Sequence, residues 1–177
     1  MLAGDRYIAD DPELQGEMRR AALLTERYNQ SSVAAARERR AILEELLGSI
    51  GRGVEVRPPI YCDYGYQTHI GAGTFVNFGL VAADVAEIRI GENVQVGPGV
   101  QLLTATHPAE ARARLERWES GRPITLGANV WLGGGVIVGP GVRIGENTVV
   151  GAGTVVVRDL PSNVLAVGNP SRIVRDL

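Results

Sequence analysis

The side chains that could take part in catalysis are few in this chain, which limits the chemistry open to it. It has two histidines, one cysteine and no lysine, so all 18 basic residues are arginine. Without lysine, catalysis through a lysine Schiff base is excluded. His107 lies in the segment Thr104–Pro108. A neutral imidazole near pH 7 is the usual general base for a hydroxyl nucleophile, so His107 is either such a base or an ordinary loop histidine.

Other kinds of reactive site have less support. His69 directly precedes Ile70, which is expected to face inward, so His69 should face solvent. Catalytic zinc, the competing hypothesis, needs three protein ligands, and two histidines do not supply them unless Cys62 or carboxylates help. Asp63 follows Cys62, and its negative charge should raise the pKa of the thiol. No serine lies in a Gly-x-Ser-x-Gly motif. We therefore expect neither a metal site nor an acyl-enzyme.

A period of six residues between Ile124 and Val157 indicates what would position a site. Aliphatic residues recur at every sixth position, and each of the first five is followed by glycine. A fixed period is the signature of a solenoid, whose units bury their apolar faces against one another. A period of six residues fits neither a helix nor a simple alternating strand. It fits a three-sided coil with one short strand per side. The inward positions of this run are Leu126, Leu132, Val138, Ile144, Val150 and Val156.

The same pattern divides the chain into zones. It predicts an N-terminal helical segment at 1–53, a solenoid at 54–160 and a C-terminal capping tail at 161–177. Near 86–89 the rhythm slips by two residues, which implies a longer corner. At 104–123 it is interrupted by a loop that carries His107. A loop of this length inside a repetitive coil is usually functional or disordered.

Two helices are predicted in the N-terminal segment, joined by a short turn into a hairpin. Asp11 should cap the first, with Pro12 at the first helical position. Ser32 is a candidate cap for the second, with Val33 among its apolar positions. Gly48 is a plausible stop.

The overall composition limits which classes of binding partner and which compartment are expected. A net charge of -2 argues against nucleic acid and anionic membrane as the main partner. No apolar run approaches the roughly 20 residues of a membrane span. Met1–Asp11 lacks the basic and then apolar pattern of a signal peptide. A single cysteine cannot form an internal disulfide, which favours a reducing compartment. We therefore expect a cytoplasmic protein.

Several short motifs spread over nearly the whole chain point to a family. They are Met1–Gly4, Asp11–Leu14, Pro58–Gly65, Asn77–Phe78, Thr106–Pro108, Asn129–Gly133, Gly151–Thr154 and Gly168–Pro170. Together they resemble the maltose O-acetyltransferases, a family whose close relatives include galactoside and Nod-factor acetyltransferases.

The resemblance implies a fold, an assembly and a reaction. The fold is a left-handed parallel β-helix, and the assembly is a homotrimer with active sites between subunits. His107 would take a proton from a sugar hydroxyl as that oxygen attacks the thioester of acetyl-CoA, with no metal and no covalent enzyme intermediate. Asn77 would lie beside the histidine and the thioester, and the backbone amide of Gly134 would stabilise the oxyanion.

The remaining positions that match the family would bind the two substrates. Asp63, Asp84 and Glu119 match positions of the acceptor pocket, although Glu119 could orient His107 instead. For each of these carboxylates the alternative is a solvated surface charge. Trp131 is either a trimer contact or part of the coenzyme cleft. The residues that match coenzyme-binding positions are Asn77, Trp131, Gly134, Ala152, Arg158, Arg172 and Arg175.

Three departures from the family pattern affect what can be inferred. Ile8 stands where relatives commonly have aspartate, and Gly79 replaces the second asparagine of an Asn-Phe-Asn pattern, so the identity of the acceptor is open. Val157 and Arg158 replace a Thr-Lys pair, which keeps the positive charge. The leading hypothesis is acetylation of maltose or glucose, at the 6-hydroxyl. The alternatives are another hydroxyl acceptor, such as a galactoside or a xenobiotic, and a non-catalytic trimeric scaffold.

Overall fold

A computed structural model describes Met1 and residues 4–177 and shows a three-sided left-handed parallel β-helix, as predicted. Each side, or face, is a parallel sheet whose strands come from successive coils. Face one contains β2 (Ser49–Ile50), β5 (Thr68–Ile70), β8 (Ile88–Ile90), β13 (Ile124–Leu126) and β16 (Arg143–Ile144). Face two contains β3 (Glu55–Val56), β6 (Phe75–Val76), β9 (Gln95–Val96), β14 (Trp131–Leu132), β17 (Val149–Val150) and β19 (Val164–Val167). Face three contains β4 (Ile60–Cys62), β7 (Leu80–Ala83), β10 (Gln101–Leu103), β15 (Ile137–Val138) and β18 (Val155–Val156).

The interior of the coil stack is aliphatic, and the six-residue period explains why. The six inward positions predicted between Leu126 and Val156 are all buried. Threonines that reach the same interior satisfy their hydroxyls on the backbone. Thr148 Oγ1 donates to the carbonyl of Pro161 at 2.7 Å, and Thr154 Oγ1 accepts from the amide of Gly168 at 3.1 Å. Burial of a hydroxyl is tolerated when it is hydrogen-bonded, so these positions accept threonine as well as valine.

One corner of the coils carries a stack of asparagines in the left-handed region. Asn129, Asn147 and Asn163 have φ between 56° and 60°. Asparagine tolerates this conformation better than most residues. The side-chain amide of Asn129 donates to Asn147 at 3.0 Å, and that of Asn147 donates to Asn163 at 2.9 Å. These asparagine side chains therefore link successive coils by hydrogen bonds along the solenoid.

Two helices precede the coils. Helix α1 (Pro12–Gln30) begins as predicted, because the carboxylate of Asp11 accepts from the amides of Glu13 and Leu14. Helix α2 (Ala36–Leu46) starts later than predicted. Ser32 Oγ accepts from the amide of Ala34 in the connecting turn, and Val33 is 84% exposed, so the prediction that Val33 lies on the apolar face was wrong. No helix in the described part of the chain is both long and apolar enough to cross a membrane.

The coil stack extends beyond both predicted ends. Strand β2 already pairs with β5, so the stack begins at Ser49 and not at residue 54. At the other end, β19 pairs in parallel with β17, with Val164 and Ala166 buried. The strand that follows, β20 (Arg172–Asp176), leaves the pattern because it turns back and pairs antiparallel with β19.

The two irregularities of the six-residue rhythm are both ordered structures. The slip near 86–89 falls at the corner between β7 and β8, at residues 84–87. The interruption at 104–123 is a β-hairpin of β11 (Ala105–Thr106) and β12 (Trp118–Gly121), with helix α3 (Ala111–Leu115) between its strands. A strand not predicted from the sequence, β1 (Tyr7–Ile8), pairs antiparallel with β12. The N-terminus and the inserted hairpin therefore form one three-stranded sheet.

Candidate active site

His107 lies immediately after β11, at the tip side of the inserted hairpin, and its side chain is 56% exposed. The opposite strand of that hairpin carries Glu119. The distance from His107 Nδ1 to Glu119 Oε1 is 3.9 Å. The structure therefore places the two predicted residues together, with the carboxylate directed at one ring nitrogen and the imidazole open to solvent.

Glu119 has a second partner that sequence reasoning missed. The hydroxyl of Tyr7 donates to Glu119 Oε2 at 3.0 Å, and the two residues are opposite each other in the pairing of β1 with β12. Burial is the main reason that the pKa of Tyr7 is raised above its usual range, followed by its bond to Glu119. The only sequence signal for this contact is the short apolar pair Tyr7–Ile8 ahead of the Asp11 cap, which is too short to predict a strand.

Asp63 lies close enough to Glu119 for their charges to interact. Burial raises the pKa of Asp63 to about 6, and the charges of Asp84 and Glu119 add to the effect. The side chain is partly exposed, so Asp63 can contact a ligand. A carboxylate with this environment accepts hydrogen bonds from hydroxyls and holds a proton more tightly than a surface aspartate does.

Asp84 differs from the expectation that it lines a pocket, because its side chain is fully buried. Asp84 Oδ1 accepts from the amides of Asp63 and Tyr64 at 3.1 and 2.8 Å, and Oδ2 accepts from Thr68 Oγ1 at 2.9 Å. These bonds use the carboxylate to hold the backbone that carries Asp63. The sequence did not reveal this role, because the sequence pattern at a corner does not distinguish a buried aspartate from an exposed one.

A second group of predicted residues lines a cleft on face two. The cleft has a volume of about 420 Å³ and includes Asn77, Trp131, Gly134 and Ala152 in its wall. Asn77 Oδ1 accepts from the amide of Phe78 at 2.9 Å, which fixes the orientation of its amide group. Trp131 is 55% exposed and projects outward from the coil.

The backbone of Gly134 offers a free donor in this cleft. Its neighbours Gly133 and Gly135 donate their amides to the carbonyls of Val150 and Pro98, both at 2.8 Å. Within the part of the chain that the structure describes, the amide of Gly134 has no backbone acceptor, and the residue is partly exposed. An amide held rigidly by two bonded neighbours is suited to stabilise a developing negative charge.

The three predicted arginines lie at the C-terminal end of the coils. Arg158 and Arg172 line a common small hollow of about 80 Å³. Arg175 is on the same terminal strand, β20, and all three are exposed. The structure thus brings Arg158 and Arg172 together, with Arg175 three residues further along.

The two other candidate reactive residues have structural partners. His69 lies between Ser49 Oγ, 3.0 Å from its Nδ1, and Glu87 Oε1, 3.6 Å from its Nε2. Burial raises the pKa of the Cys62 thiol to about 12, although a contact with Thr25 lowers it in part. Among the described residues, no group of three or more histidine, cysteine or acidic side chains is arranged to hold a metal ion.

Two family models match parts of the chain. Residues 1–51 match the maltose acetyltransferase hexapeptide capping motif, and residues 123–158 match the bacterial transferase hexapeptide with six repeats. The first match covers β1 and both helices, and the second covers the regular coils. The capping motif therefore includes the strand that contacts the hairpin of His107.

Similar proteins match over nearly the whole chain. Nodulation protein L of Rhizobium meliloti is 44% identical over 98% of this chain and 94% of its own length. The crystal structure of a maltose O-acetyltransferase from Clostridium difficile superposes with a TM-score of 0.98 at 43% identity, covering 99% of this chain and 94% of that one. A hexapeptide-repeat acetyltransferase from Vibrio cholerae, complexed with acetyl coenzyme A, has a TM-score of 0.94 at 37% identity, with 100% and 96% coverage. The chain belongs to the hexapeptide-repeat acetyltransferase family that includes the maltose O-acetyltransferases.

Proposed function

We propose that this protein transfers an acetyl group from acetyl-CoA to a hydroxyl of a maltose-like or glucose-like sugar, at the 6-position, with His107 as the general base. The observation that carries the proposal is that the imidazole of His107 is exposed to solvent while its Nδ1 lies near the carboxylate of Glu119. The similarity to a maltose O-acetyltransferase and to an acetyl-CoA complex supports the choice of substrates.

The proposed reaction is a direct transfer. His107 takes the proton of the sugar hydroxyl while the oxygen attacks the thioester carbon of acetyl-CoA. Collapse of the tetrahedral intermediate breaks the carbon–sulfur bond, and the imidazolium returns the proton to the leaving coenzyme thiolate. The free amide of Gly134 would stabilise the oxyanion, and Asn77 would orient the thioester.

The cleft on face two fits the coenzyme in its chemistry. Its walls combine the exposed ring of Trp131 with small residues, Gly134 and Ala152, that leave room for an extended pantetheine arm. Arg158 and Arg172, with Arg175 nearby, would bind the nucleotide phosphates, because guanidinium groups bind phosphate in a bidentate manner.

The acceptor would bind between Asp63 and Glu119, whose oxygens suit the hydroxyls of a sugar. Asp84 contributes indirectly by holding the backbone of Asp63. Ile8 is 44% exposed on strand β1, opposite Trp118. An apolar residue at this position favours an acceptor with an apolar face over one with a further hydroxyl.

Assembly would complete the site. On a single chain the hairpin group with His107 and the cleft group with Asn77 are separate sets of contacts. Trp131 in the wall of the cleft and Phe78, which follows Asn77, are both about half exposed. We propose a homotrimer in which the hairpin of one subunit meets the cleft of the next. Since the reaction uses acetyl-CoA, we place the enzyme in the cytoplasm, without a nucleic-acid or membrane partner.

Replacement of the two histidines tests this function. His107→Ala should lower kcat for acetyl transfer to maltose or glucose by about 10²- to 10⁴-fold, the usual contribution of a general base. His69→Ala is the matched control, because His69 also faces a carboxylate, and its activity should stay near wild type. Release of coenzyme thiol gives the rate.

An acceptor panel separates the alternatives. Unchanged activity in His107→Ala would refute the mechanism. Wild-type turnover of a galactoside or xenobiotic hydroxyl, but not of maltose or glucose, would redirect the acceptor assignment. A wild-type protein that does not bind acetyl-CoA would favour the scaffold.

A further inference from the structure

The carboxylate of Glu119 has its two oxygens directed at different partners. Oε1 lies 3.9 Å from His107 Nδ1, and Oε2 accepts from the hydroxyl of Tyr7 at 3.0 Å. On the basis of the proposed function, we propose that Tyr7 is a positioning residue for His107 that acts through Glu119. Tyr7 is not in the wall of the cleft on face two, and its hydroxyl contacts Glu119 and not His107.

The position of Tyr7 is well determined by its surroundings. The side chain is only 8% exposed and packs with Tyr64 and Val85. Strand β1 holds its backbone directly opposite Glu119. A buried hydroxyl needs a hydrogen-bond partner, and Glu119 is that partner. The bond therefore persists and fixes the carboxylate plane of a side chain that would otherwise rotate freely on the hairpin.

A fixed carboxylate has a direct effect on the imidazole. With Oε1 facing Nδ1, the favoured neutral tautomer carries its hydrogen on Nδ1 and leaves Nε2 free to accept the proton of the acceptor. At 3.9 Å the contact is longer than a hydrogen bond, and catalytic hydrogen bonds often shorten only when substrate binds. Tyr7 limits Glu119 to the orientation from which this bond can form.

Removal of one oxygen atom tests the role of Tyr7. Tyr7→Phe keeps the buried ring and the strand pairing and loses only the hydroxyl. It should lower kcat about five- to tenfold, the range expected when a positioning hydrogen bond is lost, and leave KM for acetyl-CoA unchanged. Tyr66→Phe is the matched control, because Tyr66 packs against the same cluster as Tyr7 but its hydroxyl donates to Glu17 on α1 at 2.6 Å and not to Glu119. Its kcat should stay within twofold of wild type.

A double variant shows whether the effect passes through Glu119. Glu119→Gln alone should lower kcat at least as far as Tyr7→Phe does. In the Glu119→Gln background, the further change Tyr7→Phe should alter kcat by less than twofold, since the carboxylate it oriented is gone. Full additivity of the two changes would overturn the proposal, because it would mean that Tyr7 acts on stability or on another group.

The wild type and His107→Ala provide the reference. If His107→Ala is inactive while Tyr7→Phe keeps wild-type kcat, the positioning role fails and the proposed function stands. If His107→Ala is as active as wild type, the proposed function itself fails. Equal falls of kcat in Tyr7→Phe and Tyr66→Phe, with equal falls in Tm, would assign both tyrosines a structural role only.

Discussion

Asp63 and Asp84 show how much the surroundings of a residue decide its role. Both are aspartates at the same corner, and the carboxylate of one accepts from the backbone amide of the other. Asp84 is buried with its hydrogen bonds satisfied inside the protein, whereas Asp63 remains partly exposed near Glu119. Asp84 therefore stabilises the corner, whereas Asp63 is available to a ligand and lowers the stability of the fold.

Asp63→Asn should raise the stability of the protein at neutral and alkaline pH. The pKa of Asp63, about 6, is above the ordinary 3.8 of aspartate, so the folded chain binds this proton more tightly than the unfolded chain does. Ionisation therefore destabilises the fold. The penalty is absent below pH 3.8, grows up to about pH 6 and is complete above it. We expect Tm at pH 8 to rise by about 2–4 °C, with a gain that shrinks towards pH 4.

The exposed Asp5 provides the control for this experiment. Thermal unfolding of Asp5→Asn should show no comparable gain that depends on pH. If Asp63→Asn instead lowers Tm at pH 8, the carboxylate of Asp63 stabilises the fold, and the assignment of its environment is wrong. Loss of sugar turnover in the same variant would accompany the gain in stability, as is common when a binding residue is neutralised.

At the scale of elements, the hairpin of β11 and β12 is held from two sides. Strand β1 pairs with β12 of the hairpin. The base of the hairpin packs on the corner between β7 and β8. Gly121 makes the second contact possible. A Cβ at this position would lie 2.8 Å from Ala86 Cβ and 2.9 Å from Val85 Cγ2. The hairpin can therefore approach the corner only because residue 121 has no side chain.

Gly121→Ala should displace the hairpin and reduce activity more than stability. The shift moves His107 and Glu119 relative to the coils, and a misplacement of about 1 Å can lower a rate about 100-fold. We expect kcat/KM to fall at least tenfold with a modest fall in Tm. Gly16→Ala is a matched control, because Gly16 faces open space on α1 and alanine there favours the helix. An active Gly121→Ala enzyme with unchanged kcat/KM would show that the hairpin position is not critical.

The sequence predicted the regular elements well and their exceptions less well. The spacing of Leu126 to Val156 determined the coils because each inward position must be aliphatic, and Asp11 with Pro12 determined the start of α1. The beginning of the stack at Ser49 was missed, because a two-residue strand has no periodicity of its own. The pairing of Tyr7 with Glu119 was missed for a related reason: contacts across 112 residues leave no local pattern.

Across the whole molecule, regular and irregular parts have different tasks. The coils carry the cleft of Trp131 and Gly134 on face two, and Arg158 and Arg172 line a separate hollow near the C-terminal end. The irregular parts are the N-terminal strand, the corner with Asp84 and the inserted hairpin. The strand and the corner both contact the hairpin, which carries His107. Under the proposed function, the stack would fix the length over which an extended coenzyme binds, while changes in the hairpin or the N-terminus would alter the acceptor independently.

The antiparallel return of β20 covers the edge of the last coil strand of face two. A parallel stack ends in a strand with unpaired backbone groups, and such an edge can accept a strand from a second copy and continue as an open polymer. Here β20 occupies the edge of β19, and the last amide, that of Leu177, donates to the carbonyl of Asn163 at 2.8 Å. A chain shortened by residues 172–177 should elute from size-exclusion chromatography as high-mass, concentration-dependent species. The full-length double variant Arg172→Ala/Arg175→Ala should lose coenzyme affinity without forming them. The terminal strand would then prevent fibre growth, a property that selection could maintain independently of catalysis.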